Sequence, residues 1–116
     1  MNRLIRGNGS SSSNSRIGFH TALTGLLNSD IETLPSVTLV MEILTKEFHS
    51  IDEKAKVDNQ VGTALVCGAV IRSKLVALAS EEELDQLTKC LVVCLAKPAV
   101  YSLSYSFLNE LIVKVN

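Results

Sequence analysis

Tryptophan is absent from this chain, and two tyrosines with three phenylalanines bring the aromatic share to only 4%. A surface that stacks successive bases draws on repeated aromatics, so a platform of that kind is disfavoured. Tyr101 and Tyr105, four apart beside leucines, read as core or boundary packing instead. An excess of either charge is missing too: eleven Lys and Arg stand against twelve Asp and Glu, a formal charge of −1. Net charge therefore gives no argument for nucleic-acid binding, and such a case must rest on where the cations lie. The three cysteines, Cys67, Cys90 and Cys94, are odd in number and set among apolar residues, unlike the regular sets of disulfide-stapled secreted domains. They point to a reduced, intracellular chain of buried small hydrophobes. Cys90 and Cys94 share a helix face at i and i+4, but His20 and His49 are far off in sequence, so a tetrahedral metal site lacks partners. No apolar run reaches the roughly 18 residues that span a bilayer. The longest, Val61 to Ile71, is closed by Arg72 and Lys74.

Catalytic signatures are equally scarce. Gly7-Asn8-Gly9-Ser10 lacks the third glycine of a dinucleotide loop and the lysine of a Walker loop, and no apolar strand precedes it. It reads as a flexible interhelical turn, and its match to a glycosylation sequon carries little weight in a reduced chain. The acids form no D-x-D cluster that would hold two metal ions, and neither histidine belongs to an H-E-x-x-H helix. His20 and His49 read as surface or boundary residues.

What is present is helical. The 116 residues make one domain of ordinary size or a section of a larger one, and 47% hydrophobic against 20% charged excludes general disorder. Ser15 to Leu27 places Phe19, Leu23, Leu26 and Leu27 on one stripe, with Ile17 beside it. A second helix opens near Pro35, carries Val37, Val40, Met41, Leu44 and Phe48 on one face, and fades near Ser50. Ile51 to Asp58 is a charged loop or frayed turn, with Asp58 or Asn59 able to cap the next helix. From Gln60 to Ala79 the chain is apolar on nearly every side, and Gly62, Ala64, Gly68 and Ala69 allow neighbours to come close. Ser80 with Glu83 is a capping box, the clearest start signal in the chain. Leu84, Leu87, Cys90, Leu91, Cys94 and Leu95 follow, and Pro98 ends that helix and opens the last. The last shows two stripes: Val100, Leu103, Phe107, Leu111, and Tyr101, Tyr105, Leu108, Ile112.

Hairpin dipeptides and period-2 alternation are missing, so the expectation is an all-α chain of about five helices. Helices apolar on two faces need neighbours on both sides, which favours a stacked α-solenoid segment over a simple bundle. The first 29 residues hold Arg3, Arg6, Arg16 and six serines, with no acid before Asp30. Those three arginines are the candidate contacts for phosphate or an acidic partner, against the alternative of a solvated helix connection. The same composition suits a mitochondrial transit peptide, although Gly7, Asn8 and Gly9 interrupt the amphipathic helix one needs.

The order Leu4, Gly7, a serine turn, Arg16, Gly18, Phe19, Leu23, Leu26, Leu27 and then Leu34-Pro35 resembles the N-terminal part of the Myb-binding protein 1A family, also called the DNA polymerase V or DNA polymerase phi family. GTALVCGAVIRSKL from Gly62 to Leu75 is similar to that family's small-and-apolar segment ending in a basic pair. The stretch from Glu83 to Ile112 continues the register. One departure is the turn, where Ser10 to Ser13 stand in place of the family's further basic residues. Family proteins are many times longer, so the resemblance implies that residues 1–116 are one helical-repeat section of a longer armadillo/HEAT-like α-solenoid. The resemblance implies a nuclear, mainly nucleolar, non-enzymatic scaffold concerned with ribosomal RNA production and transcription regulation. Its expected partners are proteins, with DNA or RNA beside them. No cofactor, metal, membrane or small-molecule substrate is expected. The alternative is a free-standing helical adaptor.

Overall fold

The computed structural model describes residues 1–29, 34–49 and 55–115. Among the described residues six α-helices succeed one another: α1 (Asn2–Gly7), α2 (Ser13–Leu27), α3 (Val37–Glu47), α4 (Lys56–Arg72), α5 (Glu81–Leu95) and α6 (Tyr101–Val115). Two 3-10 turns, Lys74–Leu78 and Pro98–Val100, lead into α5 and α6, and no strand occurs among the described residues. The chain is all-α, with one more helix than the pattern suggests because α1 forms before Gly7.

Helix α4 packs against each of the other five. Its sequence explains why: Ala64, Val66, Cys67, Ala69, Val70 and Ile71 point in every direction around the axis, and all are buried. Leu23 and Leu27 of α2, Leu87 and Leu91 of α5, and Phe107 and Leu111 of α6 join Val66, Val70 and Ile71 in one apolar cluster. Ile5 of α1 and Val40, Met41 and Leu44 of α3 complete it. Each such side chain contributes about 1.5–3 kcal/mol on burial, far more than a solvent-screened ion pair such as the exposed Lys89–Asp85.

All three phenylalanines are seated on glycines. Phe19 lies over Gly7, Phe48 over Gly9 and Gly62, and Phe107 over Gly68. A Cβ on Gly68 would stand 2.1 Å from Phe107 Cζ, and one on Gly7 would stand 2.2 Å from Phe19 Cγ. No glycine has a positive φ, so it is small volume and not backbone freedom that these positions use. Gly7-Asn8-Gly9 is accordingly a packed corner rather than the flexible turn its composition suggests. Asn8 is fully buried and its Nδ2 donates to Leu4 O at 2.7 Å, which also closes the sequon to modification.

Several boundaries differ from expectation, each for a local reason. Helix α2 begins at Ser13, two residues early, because Ser12 Oγ accepts from Ser15 N. Ile17 is 66% exposed, so it lies off the packed stripe. Helix α3 begins at Val37 and not at Pro35, since Ser36 Oγ accepts from Leu39 N and caps it. Neither Asp58 nor Asn59 caps α4, which starts at Lys56. Asp58 falls in its first turn, where a carboxylate complements the helix dipole. The apolar run to Ala79 is not one helix: Ser73 Oγ donates to Val70 O and accepts from Leu75 N, which turns the chain extended and ends α4 at Arg72. Ser50 and the charged stretch Ile51, Asp52, Glu53 and Lys54 lie outside the described residues.

The capping box of α5 is present, and its carboxylate does more than the sequence pattern requires. Glu83 Oε1 accepts from Ser80 N at 3.0 Å, while Oε2 accepts from Thr38 N at 2.7 Å and Thr38 Oγ1 at 2.8 Å. One side chain thereby ties together the N-termini of α5 and α3. These bonds favour the ionised form, the bond from Ser80 N most, and hold the Glu83 carboxyl below its ordinary 4.5.

Phe107 is 1% exposed and has no room to retreat, so Gly68→Ala lowers the free energy of unfolding by about 1–2 kcal/mol despite alanine's better helix propensity. Gly25 sits in α2 with nothing within 4 Å of a Cβ, and Gly25→Ala raises it by about 0.5–1 kcal/mol. Urea titration of both variants reads the opposite signs; a neutral or stabilising Gly68→Ala would show that Phe107 does not depend on a bare backbone beneath it. Glu83→Ala costs about 1–2 kcal/mol at pH 7. Because the folded carboxyl is depressed, that contribution is present above the unfolded value of about 4.5 and is lost as pH falls through the folded value. Urea midpoints of parent and variant therefore converge as pH falls below 4.5, and a gap that stays constant from pH 7 down through the acid range would contradict the shared cap.

Candidate functional site

The three candidate arginines come from two helices and meet different fates. Arg3 and Arg6 sit three apart on α1, both exposed, with no ion pair or side-chain hydrogen bond among the described residues. Arg16, near the start of α2, is drawn inward. Its Nη1 donates to Ser10 O at 2.7 Å and lies 3.8 Å from Asp58 Oδ1, and Nη2 donates to Ser13 Oγ at 3.3 Å. Arg16 thus secures the serine turn to α4. The structure leaves Arg3 and Arg6 open to a partner and commits Arg16 to the fold.

A layered cluster joins α2, α4 and α6. Arg72, in the last turn of α4, gives Glu110 two parallel bonds, Nε to Oε1 at 3.0 Å and Nη2 to Oε2 at 3.2 Å. Its guanidinium carbon stands 4.8 Å from the centroid of Phe107, whose ring lies 6.1 Å from that of His20. His20 Nδ1–H donates to Leu65 O at 3.0 Å, which fixes the tautomer because a carbonyl only accepts. Burial, aided by the charge of Arg72, holds the imidazole below 6.5 and so neutral at pH 7. A cleft of about 450 Å³ opens beside it, lined by Arg16, His20, Leu65, Arg72, Leu103 and Phe107. Both arginines there already face a carboxylate, and the His20 Nε2 is buried without a hydrogen-bond partner. The cluster locks α6 to α4 and contains no base poised beside a nucleophile.

A second cleft, of about 660 Å³, lies where α4 and α6 end, and Arg72, Lys74, Lys114, Asn28 and Ser73 line it. Lys114 Nζ donates to Ile71 O, a carbonyl of the last turn of α4. Cations there complement the negative end of the helix. The sequence shows Arg72 and Lys74 as a basic pair but not the approach of Lys114. Its only signal is a lone lysine in a final helical turn.

Cys67 and Cys90 approach to 3.6 Å across α4 and α5, and all three cysteines are free thiols. Contact with Cys67 together with burial pushes the Cys90 thiol up to about 12, and Cys94 is raised by Cys90 and by burial. Thiols so shifted are poor nucleophiles, which fits the reading of them as packing residues. Among the described residues no group of three or more His, Cys, Asp and Glu is placed to hold a metal ion. No single helix among them is long and apolar enough to cross a membrane.

The family model described as DNA polymerase phi matches residues 1–111. No curated protein and no solved structure matches the chain. The family match begins before α1 and runs well into α6, taking in the exposed arginines, the central helix and the capping box. The chain belongs to the DNA polymerase phi family.

Proposed function

We propose that this chain is a non-enzymatic scaffold segment, one section of an armadillo/HEAT-like α-solenoid, acting in the nucleus and nucleolus in ribosomal RNA production and transcription regulation. It works by presenting surfaces to proteins, with DNA or RNA as a second class of partner. The observation that carries this reading is the family membership over residues 1–111. The burial of α4 by helices on every side supports the solenoid part, since the inner helices of stacked repeats are enclosed in this way. Acids that form no metal-holding group among the described residues, Cys90 and Cys94 thiols held away from ionisation, and a neutral, locked His20 support the non-enzymatic part.

Arg3 and Arg6 are the side chains this proposal assigns to phosphate. Withdrawing one cation from a phosphate flattens the slope of log affinity against log salt by about 0.9 on duplex DNA, so Arg3→Ala with Arg6→Ala flattens it by about 2. Arg16→Ala leaves the slope unchanged, because that guanidinium is held by Ser10, Ser13 and Asp58. Fluorescence anisotropy with a labelled duplex and a labelled RNA at several salt concentrations reads all three slopes. Equal slopes for parent and double variant, or no binding by the parent at low salt, would strike nucleic acid from the proposal. A tagged full-length product should concentrate in the nucleolus; a mitochondrial or diffuse cytoplasmic signal would overturn the cellular assignment.

A further inference from the structure

Val100 of the 3-10 turn and the inner stripe of α6, Leu103, Phe107 and Leu111, pack into the core, yet a second apolar stripe runs beside them on the outside. Tyr101, Tyr105, Ile112 and Val115 are exposed by 52, 55, 53 and 49%, and Leu108 at their centre is only partly buried. The steps along this stripe are four, three, four and three residues, the spacing at which one helix packs along another. Tyr101 and Tyr105 are stacked with centroids 6.3 Å apart and rings within 19° of parallel, so part of the face is ordered before any partner arrives.

We infer that this outer face of α6 docks against the same face of a second copy of the chain, antiparallel, with Leu108 at the two-fold axis. The stripe is close to palindromic about Leu108. Reversal sets Tyr105 of one copy opposite Ile112 of the other, and Tyr101 opposite Val115. Each tyrosine then meets a β-branched aliphatic side chain, whereas a parallel arrangement sets tyrosine on tyrosine and leaves gaps beside valine. Charge also favours a like partner. The two charged residues of α6, Glu110 and Lys114, are engaged with Arg72 and Ile71 O, and the stripe itself carries none. A net charge of −1 gives two copies no long-range repulsion. A charged peptide would find nothing to pair with, and an anionic membrane would find no row of flanking lysines.

Area sets the strength. A half-exposed tyrosine, isoleucine or valine presents roughly 80–100 Å² to a partner, so the stripe buries on the order of 800 Å² over both copies. That lies below the roughly 1,200 Å² of stable complexes and makes the dimer a weak, reversible one, with a Kd on the order of 100 µM.

Sedimentation velocity of the 116-residue chain from about 5 to 500 µM tests this. The expected result is a reversible monomer–dimer equilibrium that Tyr105→Lys weakens at least tenfold. Adding Ile112→Glu to Tyr105→Lys in the same chain restores association, because an antiparallel dimer sets each new lysine against a new glutamate. Both positions are more than half exposed, so the variants keep the parent's circular dichroism and urea midpoint. A chain that stays monomeric throughout overturns the proposal, as does a dimer indifferent to Tyr105→Lys. A double variant no better than the single one overturns the antiparallel pairing. A monomer that instead binds neutral lipid vesicles through α6 assigns the face to a membrane and equally overturns it. None of these outcomes bears on the salt slopes of Arg3 and Arg6, so this inference and the proposed function fail separately.

Discussion

Everything in this fold depends on one constraint: from Gly62 to Ile71, α4 is apolar almost all the way round and has no side to give to water. A helix of that kind satisfies its backbone polar groups internally but leaves its side chains without a place until other helices cover them. Five helices do so, and glycines let two of the covering rings close the last gap. Gly62 receives Phe48 and Gly68 receives Phe107, so two aromatic rings press directly on the backbone of the molecule's most buried helix. Dispersion contacts are individually tiny and numerous, and a ring against bare backbone gains many at once. The ion pairs around this core, Arg72 with Glu110 and Arg16 with Asp58, are partly exposed and contribute direction more than strength.

That arrangement divides the surface. Cations near the core are consumed in holding it: Arg16 closes the serine turn, Arg72 spans Phe107 and Glu110, and Lys114 caps α4. Among what stays open are the basic face of α1 and the outer stripe of α6. A section of a scaffold in the DNA polymerase phi family would use such faces for contact rather than chemistry, and the clefts between helices fit that view. Arg16, Arg72, Ser73 and Lys114 in them are held by the fold although His20 Nε2 has no partner, and the Cys90 and Cys94 thiols resist ionisation.

Much of this was legible in the sequence because it is local. The Ser80–Glu83 box, the encircling apolar residues from Val61 to Ile71 and the inner stripe of α6 each depend on neighbours within a few turns, and each stands as expected. The outer stripe does not, since Tyr101 and Tyr105 read as core or boundary packing but are more than half exposed. The small residues of α4 announced close approach, and Gly62 and Gly68 supply it. What could not be read is whatever a distant partner decides. Asp58 looked like a cap, but Ala55 occupies that position and Asp58 faces Arg16 instead. Ser73 ends α4 through two hydrogen bonds of its own side chain, a competition no apolar pattern reveals. Arg16 resembled Arg3 and Arg6 in sequence, and only the fold separates it from them by bringing Asp58 alongside. The second role of Glu83, at Thr38, spans forty-five residues and has no trace in either segment.

The most direct test of the central constraint is native-state hydrogen exchange along α4. If this helix is enclosed on all sides, the amides from Val66 to Ile71 open only when the whole molecule unfolds. Their exchange free energies then equal the global value from urea titration, and those of α1 and the exposed face of α6 fall below it. Exchange of the Val66–Ile71 amides through local openings, at free energies no higher than those of α1, would show that α4 is not the element on which the others depend.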